Sequence, residues 1–144
     1  MQISGSWYVC GDGVVRPVIL GAVLTVSGVW EPVRFLVDTG ADCTAFSADA
    51  LTMLQLPQQI AAAQLGGVGG ASPTVTVETE IRLTTTDKHK VIFKGRFAAF
   101  TDPAAIDMSV LGRDITNLFA LIVDRPGDMV TLIGQRHRNG IEQV

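Results

Sequence analysis

An aspartate follows directly after a buried apolar stretch of this chain, in Phe35-Leu36-Val37-Asp38-Thr39-Gly40. An ionised carboxylate next to an apolar interior is costly unless it is paired or hydrogen-bonded. Such an acid can serve as a general acid or base. The alternative is an ordinary strand-to-turn exit, in which the Asp38 carboxylate accepts backbone N–H bonds. The triplet Asp38-Thr39-Gly40 alone leaves both interpretations open.

Hydrolysis of a peptide bond by carboxylates needs two of them, one ionised and one protonated. The chain contains a single Asp-Thr-Gly triplet. A symmetric homodimer supplies the second acid, because an isologous contact brings Asp38 against its own copy. In such a site the Thr39 hydroxyl can tie the two loops together, and Gly40 lets backbone approach the carboxylates closely. A catalytic triplet therefore predicts a two-fold homodimer.

A glycine-rich run, Leu65-Gly66-Gly67-Val68-Gly69-Gly70, is the second segment that could bind a ligand. It permits three interpretations: a flexible turn, a phosphate-binding loop, or a hairpin tip that folds over a ligand. No Gly-Lys-Ser/Thr follows the run, which disfavours phosphate binding. At a hairpin tip, Val68 would provide apolar cover and free backbone N–H groups would bind a peptide.

Short alternating stretches with many glycines predict an all-β domain with one or two short helices. The predicted strands are Val14–Val26, Val33–Val37, Thr74–Ile81, Val91–Phe100 and Ser109–Gly112, followed by a hairpin over Leu121–Ile133. Ser27–Pro32 is predicted as a turn, Ala45–Leu54 as a helical segment, and Asp114 as the N-cap of a second helix.

The composition is that of a folded domain, with 144 residues of which 47% are hydrophobic and 17% charged. This length fits one domain, which we expect to span 1–144 with its core in 14–134 and a flexible tail at 135–144. The net charge of −3 provides no basic surface, so nucleic acid is not an expected partner.

Membrane and metal binding are not expected either. The longest apolar run, Pro17 to Trp30, is shorter than the roughly 20 residues of a membrane-spanning helix. The first five residues lack the pattern of a signal peptide, so the predicted location is the cytoplasm, although the chain could be a fragment of a longer one. The two cysteines make no disulfide framework and the two histidines lie far apart, so we expect no metal and no cofactor.

Four segments occur in the order seen in retroviral aspartic proteases, the retropepsins. They are Arg16-Pro17, Leu36–Asp42, Leu65–Gly70 and Val110–Asp114, and they span most of 16–119. The chain therefore resembles this family, and Asp-Thr-Gly-Ala-Asp is the most specific part of the resemblance. The resemblance implies a single-lobe, closed β barrel that is active as a two-fold homodimer and cleaves polypeptides.

Carried over residue by residue, the resemblance makes Asp38 the catalytic acid beside Thr39 and Gly40. The substrate-binding residues that it implies are Ala41, Asp42, Leu65, Gly66, Gly67 and Val68, of which the last four belong to a flap. Arg113 would pair with Asp42 near the dimer interface, and Arg16 would approach from the other subunit.

The cleft is expected to be mostly apolar, which predicts apolar substrate residues near the cut. The side chains expected to make it so are Val37, Ala41, Leu65 and Val68. Asp107 is interpreted as a solvated loop acid, and Met108 as a core residue.

The chain departs from the retroviral pattern in three places: at Cys43, in an Ala- and Gln-rich approach to the flap at 57–64, and in a longer C-terminal hairpin. Because of this longer hairpin, the sequence does not predict which strands form the dimer interface. Two other functions stay open as well. One is a catalytically silent module with this fold that dimerises or binds peptides. The other is a hydrolase that uses Asp38 as a phosphoryl acceptor, although Asp-x-Asp-x-Thr spacing and metal-binding acids are missing.

Overall fold

The structure is a computed structural model that describes residues 1–60, 65–67 and 70–134. For residues 60, 65–67, 70 and 71 it describes the backbone alone. The strands are β1 (Gln2–Ser4), β2 (Ser6–Val9), β3 (Val15–Leu24), β4 (Trp30–Val37), β5 (Ala45–Phe46), β6 (Gln58–Ile60), β7 (Leu65–Gly67), β8 (Gly70–Ser72), β9 (Thr74–Thr84), β10 (Lys90–Phe100), β11 (Ser109–Leu111), β12 (Phe119–Asp124) and β13 (Met129–Gly134). The helices are α1 (Ala48–Leu54) and α2 (Arg113–Thr116). The tail 135–144, predicted to be flexible, lies outside the described residues.

Six strands close into a barrel in the order β3–β4–β11–β5–β10–β9, and β9 returns to β3. The pairs that close the ring are Ala22 with Arg82 and Val23 with Ile81. β9 and β10 pair along their whole length. This barrel with two short helices confirms the predicted all-β, single-lobe fold.

Aromatic rings fill the centre of the barrel. Phe46 packs between Phe35 and Phe97, with ring centroids 6.0 Å apart in both pairs. The aliphatic side chains around them include Val23, Val77, Ile81, Leu83 and Leu111, all fully buried. Because a close-packed interior resists movement, this core holds β4 and β11, the strands that lead to the candidate site.

The order of the strands forces one loop across the end of another strand. β11 lies between β4 and β5, although β4 and β5 follow one another along the chain. It pairs in parallel with β4 and antiparallel with β5. The connection between β4 and β5, residues 38–44, therefore has to cross the end of β11. This connection contains Asp38.

A second, smaller sheet has the order β1–β13–β12 and packs on the barrel through Ile3, Leu121 and Leu132. β1 and β2 are not predicted from the sequence, because strands of three and four residues show too little alternation to be recognised. Both strands lie before residues 14–134, the predicted extent of the core. Ile3 of β1 is nevertheless fully buried, so the core extends beyond this range. β2 forms a hairpin with β3.

The first predicted turn ends earlier than expected. Thr25 bonds to Val29 through both its backbone and its hydroxyl, so the turn closes there and β4 begins at Trp30. Pro32 fits inside β4 because β11 pairs only with Phe35–Val37. The early part of β4 thus has an open edge, where the missing N–H of a proline is tolerated.

The helical segment predicted over Ala45–Leu54 begins only at Ala48, since its first two residues form β5. The Ser47 hydroxyl accepts a hydrogen bond from Ala50 N–H (3.3 Å), which makes Ser47 the N-cap of α1. Neither α1 nor α2 is long enough to span a membrane, and the described part of the chain contains no helix that is.

Candidate active site

Asp38 begins the loop that follows β4, and backbone bonds fix its position. Its N–H donates to the carbonyl of Leu111 (3.2 Å), and Oδ1 of its carboxylate accepts from Gly40 N–H (3.0 Å). A Cβ atom at residue 40 would lie 3.2 Å from that oxygen, so Gly40 leaves room for the carboxylate. Asp38 is half-buried, whereas Thr39 and Gly40 are exposed. The bond from Gly40 would also form if Asp38 only ended a strand. The residues around Asp38 therefore have to show whether it is a catalytic acid or an ordinary strand-to-turn residue.

The end of β11 passes behind this loop at very close range. A Cβ atom added to Gly112 would lie 2.3 Å from the carbonyl carbon of Cys43 and 2.7 Å from the nitrogen of Thr44. Next to it, Arg113 N–H donates to the carbonyl of Ala41 (2.9 Å). Only glycine allows two backbone segments to approach in this way. The loop is therefore seated directly on the backbone that follows β11.

A polar network connects the loop with α2. The backbone N–H and the hydroxyl of the fully buried Thr44 both donate to the Asp114 carboxylate, at 3.0 and 2.8 Å. The same hydroxyl accepts from Gly112 N–H (3.1 Å). The prediction of Asp114 as an N-cap is wrong, since Gly112 occupies that position in α2. Asp114 instead ties α2 to the loop, across 70 residues of sequence.

Arg113 contacts the exposed side of the loop. Its guanidinium forms an ion pair with the Asp42 carboxylate and donates to the carbonyl of Thr39 (3.1 Å). The two charged side chains are 44% and 85% exposed, so solvent screens the pair and it stabilises the fold by at most about 1 kcal/mol. The main effect of Arg113 in a single chain is to orient the backbone at Thr39.

An open groove of about 590 Å³ runs past the Asp38 carboxylate. Its walls come from the β2–β3 hairpin, from β4 and from the segment that enters β11. The lining residues are Tyr8, Cys10, Gly11, Asp12, Arg16, Arg34, Leu36, Asp38, Ile106, Asp107, Met108 and Val110. A carboxylate that only ends a strand has no need of such a groove, so the surroundings favour a functional role for Asp38.

The apolar part of the groove differs from the expected one. Leu36 lines it and Val37 does not, because successive strand residues point to opposite faces and Val37 is 7% exposed in the core. Met108 also lines the groove, so its interpretation as a core residue is wrong. Among the described residues, Ala41 and Asp42 are not part of the lining.

The glycine-rich run begins a hairpin in the structure. β7 pairs antiparallel with β8, with Leu65 opposite Ser72 and Gly67 opposite Gly70. The tip residue Val68 lies outside the described residues. The Ala- and Gln-rich approach contains β6, which pairs with β9. The backbone is thus compatible with a flap.

The β2–β3 hairpin carries an ion pair into the groove. Two guanidinium nitrogens of Arg16 donate to the two carboxylate oxygens of Asp12, at 3.0 and 2.8 Å. The bond from Arg16, together with one from Val14 N–H, lowers the pKa of Asp12 to about 2. Arg16 therefore has a carboxylate partner within its own chain, and the approach to the other subunit that the resemblance implies stays a prediction.

A second cation of the groove is held by an aromatic ring. The guanidinium carbon of Arg34 lies 4.0 Å from the ring centroid of Tyr8, within the range of a cation–π contact. The groove residues of β2 and Arg34 are not predicted from the sequence. The turn signal Gly11-Asp12-Gly13 lies between two β-rich stretches and indicates a hairpin. Nothing in the sequence indicates which part of the barrel this hairpin packs against.

The remaining titratable groups near the loop do not add a second catalytic centre. Burial raises the pKa of the Cys43 thiol, and the carboxylates of Asp114 and Asp42 raise it further. Cys43 thus stays a neutral thiol at physiological pH. In the part of the chain that the structure describes, no group of three or more His, Cys, Asp or Glu side chains is placed to hold a metal ion.

Known proteins share both the sequence pattern and the fold. The model of a family described as aspartyl protease matches residues 22–115, which include the loop with Asp38 and the start of α2. No curated protein sequence matches the chain. A retropepsin-like aspartic protease from Rickettsia conorii has a similar structure, with a TM-score of 0.55 and 18% identity over 92% of this chain and 90% of that one.

The protease of EIAV, solved in complex with the inhibitor HBY-793, is similar as well. Its TM-score is 0.52 at 24% identity, and the match covers 71% of this chain and 86% of that one. At these identities the two structures establish a likeness of fold, while the family match extends over most of the barrel. The predicted resemblance is confirmed, and the chain belongs to the aspartyl protease family with a single-lobe, retropepsin-like fold.

Proposed function

We propose that the protein is an aspartic endopeptidase, active as a homodimer in which each copy contributes Asp38. The observation that carries the proposal is the position of the Asp38 carboxylate, which lines an open groove of about 590 Å³ on a loop seated against Gly112. A rigidly placed carboxylate beside a peptide-sized groove is what water activation at a scissile bond requires.

The chemistry needs a second carboxylate that keeps a proton. Two acids within hydrogen-bond reach cannot both ionise, so one takes a proton from water while the other polarises the carbonyl, as is known for aspartic proteases. The other acids that line the groove do not fit this role. Asp12 is held by Arg16 with a pKa of about 2, and Asp107 is exposed in a turn. The partner of Asp38 is therefore expected from a second copy.

The neighbouring residues have roles that follow from their positions. Thr39 is exposed beside Asp38, so its hydroxyl is free to meet the loop of a second copy, and Arg113 holds its carbonyl. Gly40 and the ion pair of Asp42 with Arg113 keep the loop open around the carboxylate. An extended peptide in the groove would add backbone hydrogen bonds to the β7–β8 hairpin.

The substrate expected for this groove is a polypeptide with apolar side chains near the cut. The apolar lining is formed by Leu36, Ile106, Met108 and Val110. In peptide hydrolysis, the activated water attacks the carbonyl carbon, the neutral acid donates to the carbonyl oxygen, and the C–N bond breaks as its nitrogen gains a proton. No cofactor is needed for these steps.

A digest of a peptide library from acidic to neutral pH tests the proposal. Asp38→Asn should lower turnover by roughly 10³-fold or more, because amide cannot accept the proton from water. Asp49→Asn is the matched control, since Asp49 is an exposed acid in the first turn of α1 and should leave turnover unchanged. Circular dichroism of both variants shows whether the fold is kept.

Two outcomes would contradict the proposal in different ways. Full turnover by Asp38→Asn would exclude the carboxylate pair. Peptide binding without cleavage by the wild-type dimer would favour the silent module instead.

Specific activity should also fall on dilution below the dimer dissociation constant, by mass action. A specific activity that is constant at every dilution would argue for an active monomer.

A further inference from the structure

Arg34 is a cation of the groove that is held by an aromatic ring and by no carboxylate. Its guanidinium carbon lies 4.0 Å from the ring centroid of Tyr8. No ion pair in the described part of the chain includes Arg34. An exposed arginine on an ordinary surface is satisfied by water, and Arg34 is exposed. Its place in the groove therefore has to show whether it has a function.

Arg34 shares one face of the groove with Asp38. Strand residues two apart point to the same side, so Arg34, Leu36 and Asp38 form a row, and all three line the groove. β11 runs parallel beside this row, with Val110 next to Leu36. At about 3.3 Å per residue, the backbone of Arg34 lies about 13 Å from that of Asp38. The groove thus leads from the carboxylate over an apolar part to a cation.

The other charged side chains of the groove do not occupy this cation. Arg16 forms an ion pair with Asp12, whose carboxylate also accepts from Val14 N–H. Asp107 is exposed on the segment that enters β11, and in the part of the chain that the structure describes it forms no ion pair with Arg34. The Arg34 guanidinium is therefore available to a ligand in the groove.

We propose that Arg34 binds an acidic side chain of the substrate, at a distance from the apolar residues expected next to the cut. The inference rests on the proposed function, since it names the substrate of that same site. Tyr8 covers one face of the planar guanidinium. The N–H groups around the edge of the guanidinium stay free, and they can donate to both oxygens of a carboxylate.

The spacing along β4 gives the position of this acidic residue. An extended peptide also advances about 3.3 Å per residue, so the separation of Arg34 from Asp38 corresponds to about four residues. Because the arginine side chain is long, it can shorten this separation, and the acidic residue is expected about two to four positions from the cut.

A homodimer would contain two such sites, one from each copy. If the two-fold axis passes between the Asp38 carboxylates, each Arg34 lies on its own side of the scissile bond. An acidic residue should then be favoured on both sides of the cut, at similar distances. A surface arginine with only a structural role would give no preference of this kind.

The test uses matched peptides with Glu or Gln at each of the positions two to five residues from the cut, on both sides. At pH 6, where a glutamate side chain is ionised, the wild type should cleave the best Glu peptide with a kcat/KM about fivefold higher than that of its Gln counterpart. The gain should lie in KM, because a contact remote from the reacting bond stabilises bound substrate and transition state alike. Arg34→Gln should bring the ratio of the two kcat/KM values close to one.

Arg82→Gln is the matched control, because Arg82 also lies over an aromatic ring, 4.5 Å from the ring centroid of Trp30, but does not line the groove. This variant should keep the wild-type ratio. The wild-type ratio should fall when the salt concentration rises from about 0.05 M to about 0.5 M, since salt screens an exposed charge pair. A ratio near one in the wild type, or a ratio that neither salt nor Arg34→Gln lowers, would overturn the inference.

Binding measurements separate this inference from the proposed function. Fluorescence anisotropy of the same peptides, labelled, gives their affinities for the wild type and for Arg34→Gln whether or not cleavage occurs. A wild type that cleaves no peptide but binds the Glu peptide more tightly through Arg34 would support the inference and contradict the proposed function. Cleavage that needs Asp38 but does not distinguish Glu from Gln would do the reverse.

Sedimentation velocity tests the other role that Arg34 could have, a contact between the two copies. Arg34→Gln should leave the dimer dissociation constant unchanged. A higher dissociation constant together with an unchanged ratio of Glu to Gln cleavage would assign Arg34 to the dimer contact and overturn the inference.

Discussion

The loop that carries Asp38 and the β2–β3 hairpin line the same groove but are held by different kinds of contact. Around the loop, the backbone after β11 packs so closely that Gly112 has no space for a Cβ atom, and the buried Thr44 bonds to Asp114. The strands of the hairpin pair with each other through backbone bonds, but beyond that ladder its tip is held by the pair of Asp12 with Arg16, whose side chains are 47% and 27% exposed.

The difference indicates which part of the groove tolerates change. Buried backbone contacts fix atoms to within a fraction of an ångström, because close-packed interiors hardly relax. Exposed ion pairs are screened by water and add little stability. A carboxylate that has to meet a second carboxylate needs the first kind of support. A groove wall that only selects substrate side chains can be held by surface ion pairs. The residues of such a wall can be substituted without loss of the fold.

The largest effect is expected at Gly112. Gly112→Ala would place a Cβ atom 2.3 Å from the carbonyl carbon of Cys43, which is backbone and cannot rotate away. We expect a loss of about 3 kcal/mol in the free energy of unfolding, as for severe overpacking, together with a loss of cleavage. Chemical denaturation followed by tryptophan fluorescence measures the change.

Gly95→Ala is the control for that substitution. Gly95 lies in β10, and a Cβ atom there would meet no other atom within 4 Å. Its free energy of unfolding should change by less than about 1 kcal/mol. Similar losses in both variants would mean that the loop does not depend on close contact with β11.

A smaller loss is expected at Thr44. Thr44→Val keeps the shape of a buried side chain but removes the hydroxyl that donates to Asp114 and accepts from Gly112 N–H. A buried N–H without an acceptor costs about 1–3 kcal/mol, and the free energy of unfolding should fall by that amount.

Thr52→Val serves as its control, because the Thr52 hydroxyl bonds to the carbonyl of Ala48 on the exposed side of α1. Its free energy of unfolding should change by about 0.5 kcal/mol or less. If Thr44→Val were equally mild, the network between the loop and α2 would not support the carboxylate.

The sequence predicts the loop better than the hairpin, for a physical reason. Asp38 follows an apolar strand, and this local pattern marks it without knowledge of the fold. The residues that support it are separated in sequence, as Thr44 and Asp114 are, so that only the crossing of β4, β5 and β11 brings them together. The prediction of Asp114 as an N-cap failed because its local pattern fits a cap while its carboxylate is used by Thr44.

The hairpin illustrates the opposite case. Tyr8, Cys10 and Asp12 belong to or adjoin a strand of four residues, which is too short to give a periodic signal. Their contact with the groove arises from the way the hairpin folds against β4, where Arg34 meets Tyr8. Surface contacts of this kind leave no pattern in the sequence.

The smallest effect on stability is expected at the ion pair of the hairpin, where pH gives a sharper measurement than unfolding. The bond from Arg16 lowers the pKa of Asp12 from 3.8 to about 2. Because the folded-state pKa is depressed, the stabilisation from this pair is present above about pH 4 and is lost as the pH falls through 2. The hairpin should therefore keep its ion pair at the acidic pH where a shared-proton mechanism can work.

A carbon-detected NMR titration of the Asp12 carboxyl group measures this directly. The midpoint should lie near 2 in the wild type and rise towards 3.8 in Arg16→Gln, while the bond from Val14 N–H keeps it somewhat lower. The melting temperature of Arg16→Gln should hardly change, because the pair lies at the surface, where water reaches both side chains and screens their charges. A midpoint that does not move in Arg16→Gln would mean that the pair is not formed in solution. A large fall in melting temperature would instead show that the hairpin is held as firmly as the loop of Asp38, and the contrast between the two walls would not stand.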